Sequence, residues 1–259
     1  MNYLIRLVLI TLHALVLSAC VGKASFNDDA NTLTQSQVQA PLLLVSEPKP
    51  LSIIVIGGTS GIGLELVKLA LERGHSVTAV SRNPAKLSLE HPQLTKAAGD
   101  ILSESDMTRL IVGHDIIVST VGLAAGKRNV TLFSQGTMNL LNVIQQTNQK
   151  RLISVSAIGA GDSKGHGGFL FDAILQPLVL GDDIDDKTRM EQLLINSDID
   201  FTIVRPAILT NDLALRDYRI FTDLTGVETG SISRQDVAHF ILSVAEQKAY
   251  VRQVVTLSN

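Results

Sequence analysis

The sequence predicts an α/β fold in which a doubly wound parallel sheet forms a single domain over residues 51–259. Three observations lead to this prediction. Short aliphatic runs alternate with amphipathic helical patterns along that whole stretch. The first run leads directly into a glycine-rich turn that opens a helix. The formal net charge is −3, no basic run occurs and aromatic residues make up 4%, so nothing favours nucleic acid as a partner.

The strands are predicted at short apolar runs: Ile53–Ile56, Val77–Val80, Ile116–Ser119, Leu152–Val155, Phe201–Val204 and Val254–Leu257. Helices are predicted at Leu64–Arg73, Ser103–Ile111, Leu132–Asn148, Lys187–Asn196 and Arg234–Gln247. Ser233 and Asp236 resemble a capping box before the last helix, with Asp in place of the usual Glu. Because buried strands that alternate with helices form a parallel sheet, a ligand should bind at the carboxyl ends of the strands.

The turn after the first strand has the pattern Gly-x-x-x-Gly-x-Gly, and its context of strand, turn and helix favours dinucleotide binding over a purely structural turn. Amide N–H groups at the start of the helix can hold a pyrophosphate. Gly57 would permit the tight turn, Gly61 and Ile62 would leave the backbone open to phosphate, and Gly63 would allow close helix–strand packing. The predicted cofactor-binding residues of this turn are Gly57, Thr59, Ser60, Gly61, Ile62 and Gly63.

The second strand ends in Ser81 and Arg82, where the adenosine ribose lies in this fold. An acidic residue there binds the 2′-hydroxyl of NAD, whereas an arginine accommodates a 2′-phosphate. No acidic residue occurs between Arg73 and Glu90, so these two residues favour NADP(H). The alternative is a solvated arginine at a strand end.

A further strand, the third in chain order, is predicted to end at residues 99–101, and small or polar residues follow both it and the fourth strand, Ile116–Ser119. Asp100 and Ile101 are candidates for reading the adenine edge, and Thr120, Val121 and Gly122 would let the backbone approach the cofactor. Either group could instead be the ordinary start of a loop. Their recurrence at successive strand ends favours a binding site.

Ser156 follows the fifth strand and is placed to hydrogen-bond a substrate carbonyl or ring nitrogen near the nicotinamide. The glycine-rich loop that comes next, Ile158–Gly168, carries Lys164 and His166. This loop could act as a lid with its glycines as hinges. His166 is either solvated or catalytic.

Seven motifs are similar to those of the atypical short-chain dehydrogenase/reductases: residues 57–63, 80–87, 99–101, 114–122, 155–157, 202–206 and 232–240. The chain resembles in particular their NAD(P)H-binding NmrA-like group, which includes biliverdin-IX-beta reductase (flavin reductase). The resemblance extends from about Leu51 to Leu257 and implies a Rossmann-like fold with a nicotinamide cofactor. It is much less specific for the substrate.

The Tyr-x-x-x-Lys motif of the wider superfamily is altered in this chain. The matching stretch runs from Asp183 to Lys187, so the lysine remains and an aspartate takes the tyrosine position. The resemblance implies that Lys187 holds the nicotinamide ribose. An exposed aspartate is ionised at neutral pH and cannot donate a proton unless burial raises its pKa. Related reductases use a serine at the position of Ser156 and a histidine after strand six, where this chain has Ala207.

These residues predict an NADPH-dependent oxidoreductase that reduces a flat conjugated acceptor, namely a flavin, a quinone or a tetrapyrrole-like molecule. Hydride transfer to such an acceptor needs little beyond the cofactor and a stacking pocket, whereas an unactivated ketone needs a positioned acid. Ser156 and Lys187 are the predicted catalytic residues, and no metal is expected. The alternative function is a non-catalytic NADP(H)-binding redox sensor or scaffold of the NmrA type.

Residues 1–20 are typical of a secretory signal, with one early positive residue, an apolar run from Leu7 to Leu17 and a small-residue end. Residues 17–20 also resemble the bacterial lipobox, in which the cysteine is diacylated. Cys20 is the only cysteine, so it has no disulfide partner within the chain.

Residues 21–50 are polar and contain three prolines, which is typical of a flexible tether. The leader therefore predicts a bacterial lipoprotein, anchored to the membrane by Cys20. A supply of NADPH would favour a cytoplasmic domain instead, through an inefficient signal or a misassigned start. An exported domain that binds another dinucleotide-like ligand is the remaining alternative.

Overall fold

The computed structural model describes residues 49–124, 126–147, 149–169 and 171–259. The predicted signal, nearly all of the predicted tether and Cys20 lie outside these residues. Within them, no helix has the length and apolar character needed to cross a membrane.

In chain order the strands of the described residues are β1 (Ser52–Ile56), β2 (Ser76–Ser81), β3 (Leu94–Ala98), β4 (Ile116–Ser119), β5 (Arg151–Val155), β6 (Asp200–Pro206), β7 (Ile208–Thr210), β8 (Arg219–Phe221), β9 (Ser231–Ser233) and β10 (Gln253–Ser258). Eight of these strands form a mainly parallel sheet in the order β3-β2-β1-β4-β5-β6-β10-β8. β8 is antiparallel to β10, and β7 pairs with β9 in a separate ribbon. The predicted doubly wound α/β fold is confirmed.

The helices are α1 (Gly61–Glu72), α2 (Glu104–Ile111), α3 (Leu132–Gln145), α4 (Gly181–Ile195) and α5 (Arg234–Gln247). Short 3₁₀ turns occur at Pro84–Lys86 and Gly161–Ser163, and a π-helical segment, Phe171–Leu180, leads into α4.

Alternate residues of β1 divide the core into two layers, because successive strand side chains point to opposite faces of the sheet. Ile53 and Val55 pack in a cluster with apolar residues of α1 and α5. Ile54 and Ile56 pack in a second cluster with residues of α2 and α3. Both faces of β1 are therefore buried, as expected for a central parallel strand.

The helix predicted at Lys187–Asn196 begins earlier in the structure, at Gly181, and continues the preceding π-helical segment. Pro177 and Gly181 are poor helix formers, so the sequence before Lys187 has a low helix propensity and no helix was predicted there. The short strands β7, β8 and β9 were not predicted either. Each has three residues, too few for a clear alternation pattern.

The strand order reverses between β1 and β4, since β2 and β3 extend to one side and β5 and β6 to the other. In open α/β sheets the crevice at this switch point is where ligands bind. The fold thus predicts a ligand site at the carboxyl ends of β1 and β4.

Candidate functional site

A cleft of about 810 Å³ opens at the carboxyl ends of the central strands. Most of the residues predicted from sequence line it: Gly57, Thr59, Ser60, Gly61, Ile62, Ser81, Arg82, Asp100, Ile101, Thr120, Val121, Gly122, Ser156 and Lys187. Gly63, Lys164 and His166 do not line this cleft. The structure therefore gathers residues from many separate chain segments into one site.

The glycine turn has the backbone conformation that the motif requires. Gly57 and Gly61 adopt φ angles of +91° and +55°, which residues with a side chain rarely adopt. The first turn of α1 carries no acidic residue, and the side chain of Ser60 at its start makes no capping hydrogen bond within the described structure. The positive end of this helix is therefore available to an anion.

Gly63 acts from beneath the cleft rather than inside it. A Cβ at this position would lie 2.3 Å from the carbonyl oxygen of Gly57 and 2.4 Å from Oγ1 of Thr120. Thr120 is itself fixed, because its amide and hydroxyl both donate to the carbonyl of Ile56. Only glycine lets α1 pack this closely against the turn and the end of β4.

Ser81 and Arg82 lie at the end of β2, where the 2′-phosphate was predicted. Oγ of Ser81 is buried and has no hydrogen-bond partner among the described residues. Arg82 is exposed, and its guanidinium makes no hydrogen bond or ion pair within that same part of the chain. Both groups are open to a ligand.

Asp100 is more constrained than expected at the adenine position. Its Oδ1 accepts a hydrogen bond from the amide of Leu102 at 3.0 Å, and its own amide donates to Oδ2 of Asp106 at 3.1 Å. One carboxylate oxygen and the amide of Asp100 are thus used in hydrogen bonds within the loop after β3 and the start of α2. Ile101 beside it is buried against Gly136 of α3.

Ser156 is only 3% exposed, and its amide donates to the carbonyl of Val204 at 2.7 Å. Its Oγ has no hydrogen-bond partner in the described structure, although it is buried at the wall of the cleft. A buried hydroxyl without a hydrogen-bond partner destabilises the folded protein unless a bound ligand provides that partner.

Lys187 reaches the same wall from α4. Its Nζ lies 3.4 Å from the carbonyl oxygens of Val155 and Ser156, and 4.1 Å from the centre of the Phe133 ring. Burial lowers the pKa of Lys187 to about 8, while the nearby carboxylate of Asp183 opposes this shift. The ammonium is therefore held at the end of β5 next to Ser156.

Asp183, which the motif resemblance places at the tyrosine position, lies one turn before Lys187 on α4. Its side chain lines the cleft, the residue is only 8% exposed, and Oδ1 has no partner among the residues described. Burial raises its pKa above the ordinary 3.8, with Lys187 acting in the opposite direction. This environment favours the protonated carboxyl more than an exposed surface would.

The loop predicted as a lid is anchored along its first half. Arg205 of β6 forms a buried ion pair with Glu191 of α4 at 2.6 Å and also pairs with Asp162 of the loop. The amide of Gly161 donates to Oγ1 of Thr188 at 3.0 Å. These contacts tie the loop to α4 and β6, which argues against free hinges at its glycines.

His166 is engaged by the backbone instead of the cleft. Its Nδ1 lies 2.8 Å from the carbonyl oxygen of Val227, and its own carbonyl accepts hydrogen bonds from the amide and hydroxyl of Thr229. These contacts connect two loops and favour a structural role over the catalytic one.

Sequence reasoning missed the apolar wall of the cleft and one cation. The wall contains Leu123, Leu132, Phe133, Phe171, Leu175, Leu180, Ile184, Ile208 and Leu209. Arg234 also lines the cleft. It lies in one of the motifs that carry the resemblance, so its position there was a usable signal. Much of the wall comes from the π-helical segment and β7, which had no clear sequence pattern.

The fold and the cleft together define a dinucleotide-binding α/β protein. A family model described as NAD(P)H-binding matches residues 57–248, so the chain belongs to this NAD(P)H-binding family. The predicted nicotinamide cofactor is thereby confirmed, and the preference for NADP(H) over NAD(H) stays a prediction.

Two curated relatives show how far the likeness extends. A 3-beta-hydroxysteroid dehydrogenase from Mycolicibacterium neoaurum is 33% identical over 112 residues, covering 39% of this chain and 30% of that protein. The chloroplastic divinyl chlorophyllide a 8-vinyl-reductase of Arabidopsis thaliana is 24% identical over 245 residues, covering 84% of this chain and 55% of that protein. The chain thus spans less than two thirds of the length of either relative.

Solved structures show the same fold over most of the chain. An anaerobillin reductase from Escherichia coli O157:H7 has a TM-score of 0.65 at 24% identity, covering 81% of this chain and 97% of that chain. A short-chain dehydrogenase/reductase from Veillonella parvula, solved in complex with NADP, has a TM-score of 0.68 at 15% identity, covering 82% and 95%.

Proposed function

We propose that this protein is an NADPH-dependent reductase whose substrate is a flat conjugated acceptor, namely a flavin, a quinone or a tetrapyrrole-like molecule. The observation that carries the proposal is one cleft that is lined both by the glycine turn and by an apolar wall. Aromatic and aliphatic side chains such as Phe133, Phe171 and Leu175 suit a flat ring system. Two similar proteins, named as a divinyl chlorophyllide a 8-vinyl-reductase and an anaerobillin reductase, support the tetrapyrrole-like class.

The residues of the cleft divide between cofactor and acceptor. The backbone of the glycine turn would hold the pyrophosphate, and Ser81 with Arg82 would bind the 2′-phosphate. Lys187 would hold the nicotinamide ribose, and the free hydroxyl of Ser156 would orient the acceptor beside it. The bound nicotinamide supplies a hydride.

Asp183 is the proposed proton donor for this reduction. Its buried carboxyl would transfer a proton to the acceptor atom that gains negative charge as the hydride arrives at the conjugated system. The resulting carboxylate is stabilised by Lys187 one turn away and regains its proton from water. The acceptor thus gains one hydride and one proton.

The experiment is steady-state NADPH oxidation with flavins, quinones and linear tetrapyrroles, using the wild type and Ser156→Ala. We expect turnover with at least one of these acceptors and a lower kcat for the variant, since the serine acts on the acceptor. Ser163→Ala is the matched control, because this hydroxyl is buried within the loop and does not line the cleft. Tight NADPH binding without turnover across the panel would favour the redox sensor or scaffold instead.

We also propose a membrane anchor at Cys20, on the evidence of the leader sequence alone. A tether of about 30 residues spans roughly 30 Å by random-coil scaling, so the domain would work close to the membrane. Mass spectrometry of the native N-terminus tests this. A diacylglyceryl-modified Cys20 is expected, whereas an unmodified N-terminus downstream of Cys20 in the soluble fraction contradicts the anchor.

A further inference from the structure

Arg234 is a cation of the cleft that the proposed function leaves without a role. The described residues that line the cleft include three cationic side chains, namely Arg82, Lys187 and Arg234. Arg82 lies at the end of β2, and Lys187 lies at the end of β5. Arg234 begins α5 and lies beside the glycine turn, as its Nε is 3.9 Å from the position that a Cβ of Gly61 would occupy.

The guanidinium of Arg234 is fixed on one side and open on the other. Its Nη1 donates to the carbonyl of Thr210 at 3.1 Å and to Oδ1 of Asn211 at 2.7 Å. No acceptor in the described structure engages Nε or Nη2. Nη1 is anchored, and Nε is the atom of Arg234 that comes within 4 Å of the Cβ position of Gly61, so the free edge of the guanidinium, which Nε shares with Nη2, begins next to the turn.

The start of α5 is itself held firmly. Ser233 caps the helix by accepting a hydrogen bond from the amide of Asp236 at 3.0 Å. The carboxylate of Asp236 accepts from the amides of Leu215 and Arg216. Arg234 is therefore presented by a rigid helix terminus, which reduces the entropy lost when it binds a ligand.

We propose that Arg234 binds the pyrophosphate of the dinucleotide through its Nε and Nη2. The turn from Gly57 to Gly63 offers backbone amides but no cation, whereas a pyrophosphate carries two negative charges. Two parallel N–H groups of a guanidinium match two phosphate oxygens, which gives a bidentate, charge-assisted contact. The absence of a side chain at Gly61 leaves the approach open. This inference depends on the dinucleotide binding of the family and not on the proposed acceptor.

The test is calorimetric binding of NADP⁺, NAD⁺ and ADP-ribose to the wild type, Arg234→Ala and Arg82→Ala. Arg234→Ala should weaken all three ligands by a similar factor of about 10 to 100, because all three contain the pyrophosphate. Arg82→Ala is the matched control, and it should weaken NADP⁺ selectively. Thermal unfolding without ligand checks that each variant is folded.

Asn211→Ala keeps the proposal testable if Arg234→Ala does not fold. It leaves the arginine in place but removes one of the acceptors that fix it, so the three ligands should lose affinity together and by less. Unchanged affinity for ADP-ribose in the folded Arg234→Ala variant would overturn the assignment. A variant with normal ADP-ribose binding and a raised KM for the acceptor alone would place Arg234 in the acceptor site instead.

Discussion

Single polar atoms give the strongest indication of where ligands bind in this cleft. Oγ of Ser81, Oγ of Ser156 and Oδ1 of Asp183 are buried at its wall, and none has a hydrogen-bond partner in the described part of the protein. An unsatisfied buried polar group costs about 1–3 kcal/mol. These atoms lie at the positions proposed for the ribose phosphate, the acceptor and the proton transfer, so bound ligands would provide the missing partners.

Asp183→Asn should change the pH dependence of stability. Because burial raises the pKa of Asp183 above 3.8, the folded state binds its proton more tightly than the unfolded state does. The wild type should therefore lose free energy of unfolding as pH rises from about 3.8 through the raised value. Asparagine stays neutral and lacks this loss, so the variant should gain stability relative to the wild type across that window and keep the gain above it.

Denaturant unfolding at a series of pH values measures this difference. Asp185→Asn is the control, because this exposed residue of the same helix does not line the cleft. If Asp183 also donates the proton, Asp183→Asn should lower kcat and remove the loss of activity that follows its deprotonation. An unchanged kcat and pH profile would remove Asp183 from the mechanism.

At the scale of elements, α4 organises both sides of the cleft. Asp183 and Lys187 are four residues apart, so they project from the same face of the helix. Asp186 points elsewhere and accepts hydrogen bonds from the amides of Phe133 and Ser134 at 2.7 Å and 3.2 Å. It thereby provides a hydrogen-bond acceptor for the free amides at the start of α3, and this helix contributes Phe133 to the apolar wall.

Gly63→Ala should destabilise the protein through the contact between α1 and β4. The added methyl would meet the backbone of Gly57 and the fixed hydroxyl of Thr120, and neither can move away cheaply. We expect a loss of about 2 kcal/mol or more in the free energy of unfolding. Urea unfolding without cofactor measures the loss.

Gly122→Ala provides the control for this prediction. It lines the cleft just after β4, but a Cβ there would meet nothing within 4 Å. Its stability should change by less than about 1 kcal/mol. Equal effects of the two substitutions would show that close packing is not the reason for glycine at position 63.

The elements differ in how well their sequences predict them. The glycine turn can be predicted because its function depends on backbone conformation, which Gly57 and Gly61 determine locally. Ser156 and Lys187 follow from a strand end and from the motif resemblance. The π-helical segment could not be predicted, since Pro177 lies within it and Gly181 directly follows it. The nearness of Arg234 to Gly61 could not be predicted either, because tertiary packing alone brings these distant residues together.

In the whole molecule, the doubly wound sheet places the glycine turn and the apolar wall in one cleft. Strands on both sides of the switch point end there, so residues of β1, β2 and β5 and residues directly after β4 face a common space. The family membership accounts for NAD(P)H binding. The proposed function adds hydride transfer to an acceptor held against the apolar wall.

A single-turnover experiment tests this hydride transfer from bound NADPH to the acceptor. The complex of protein and NADPH is mixed without oxygen with an acceptor that the steady-state panel identifies, and the absorbance of reduced nicotinamide is followed together with that of the acceptor. We expect both signals to change at the same rate and in equal molar amounts, and more slowly in Ser156→Ala. Bound NADPH that stays reduced with every flavin, quinone and tetrapyrrole tested would contradict it and leave a protein that binds the cofactor without using it.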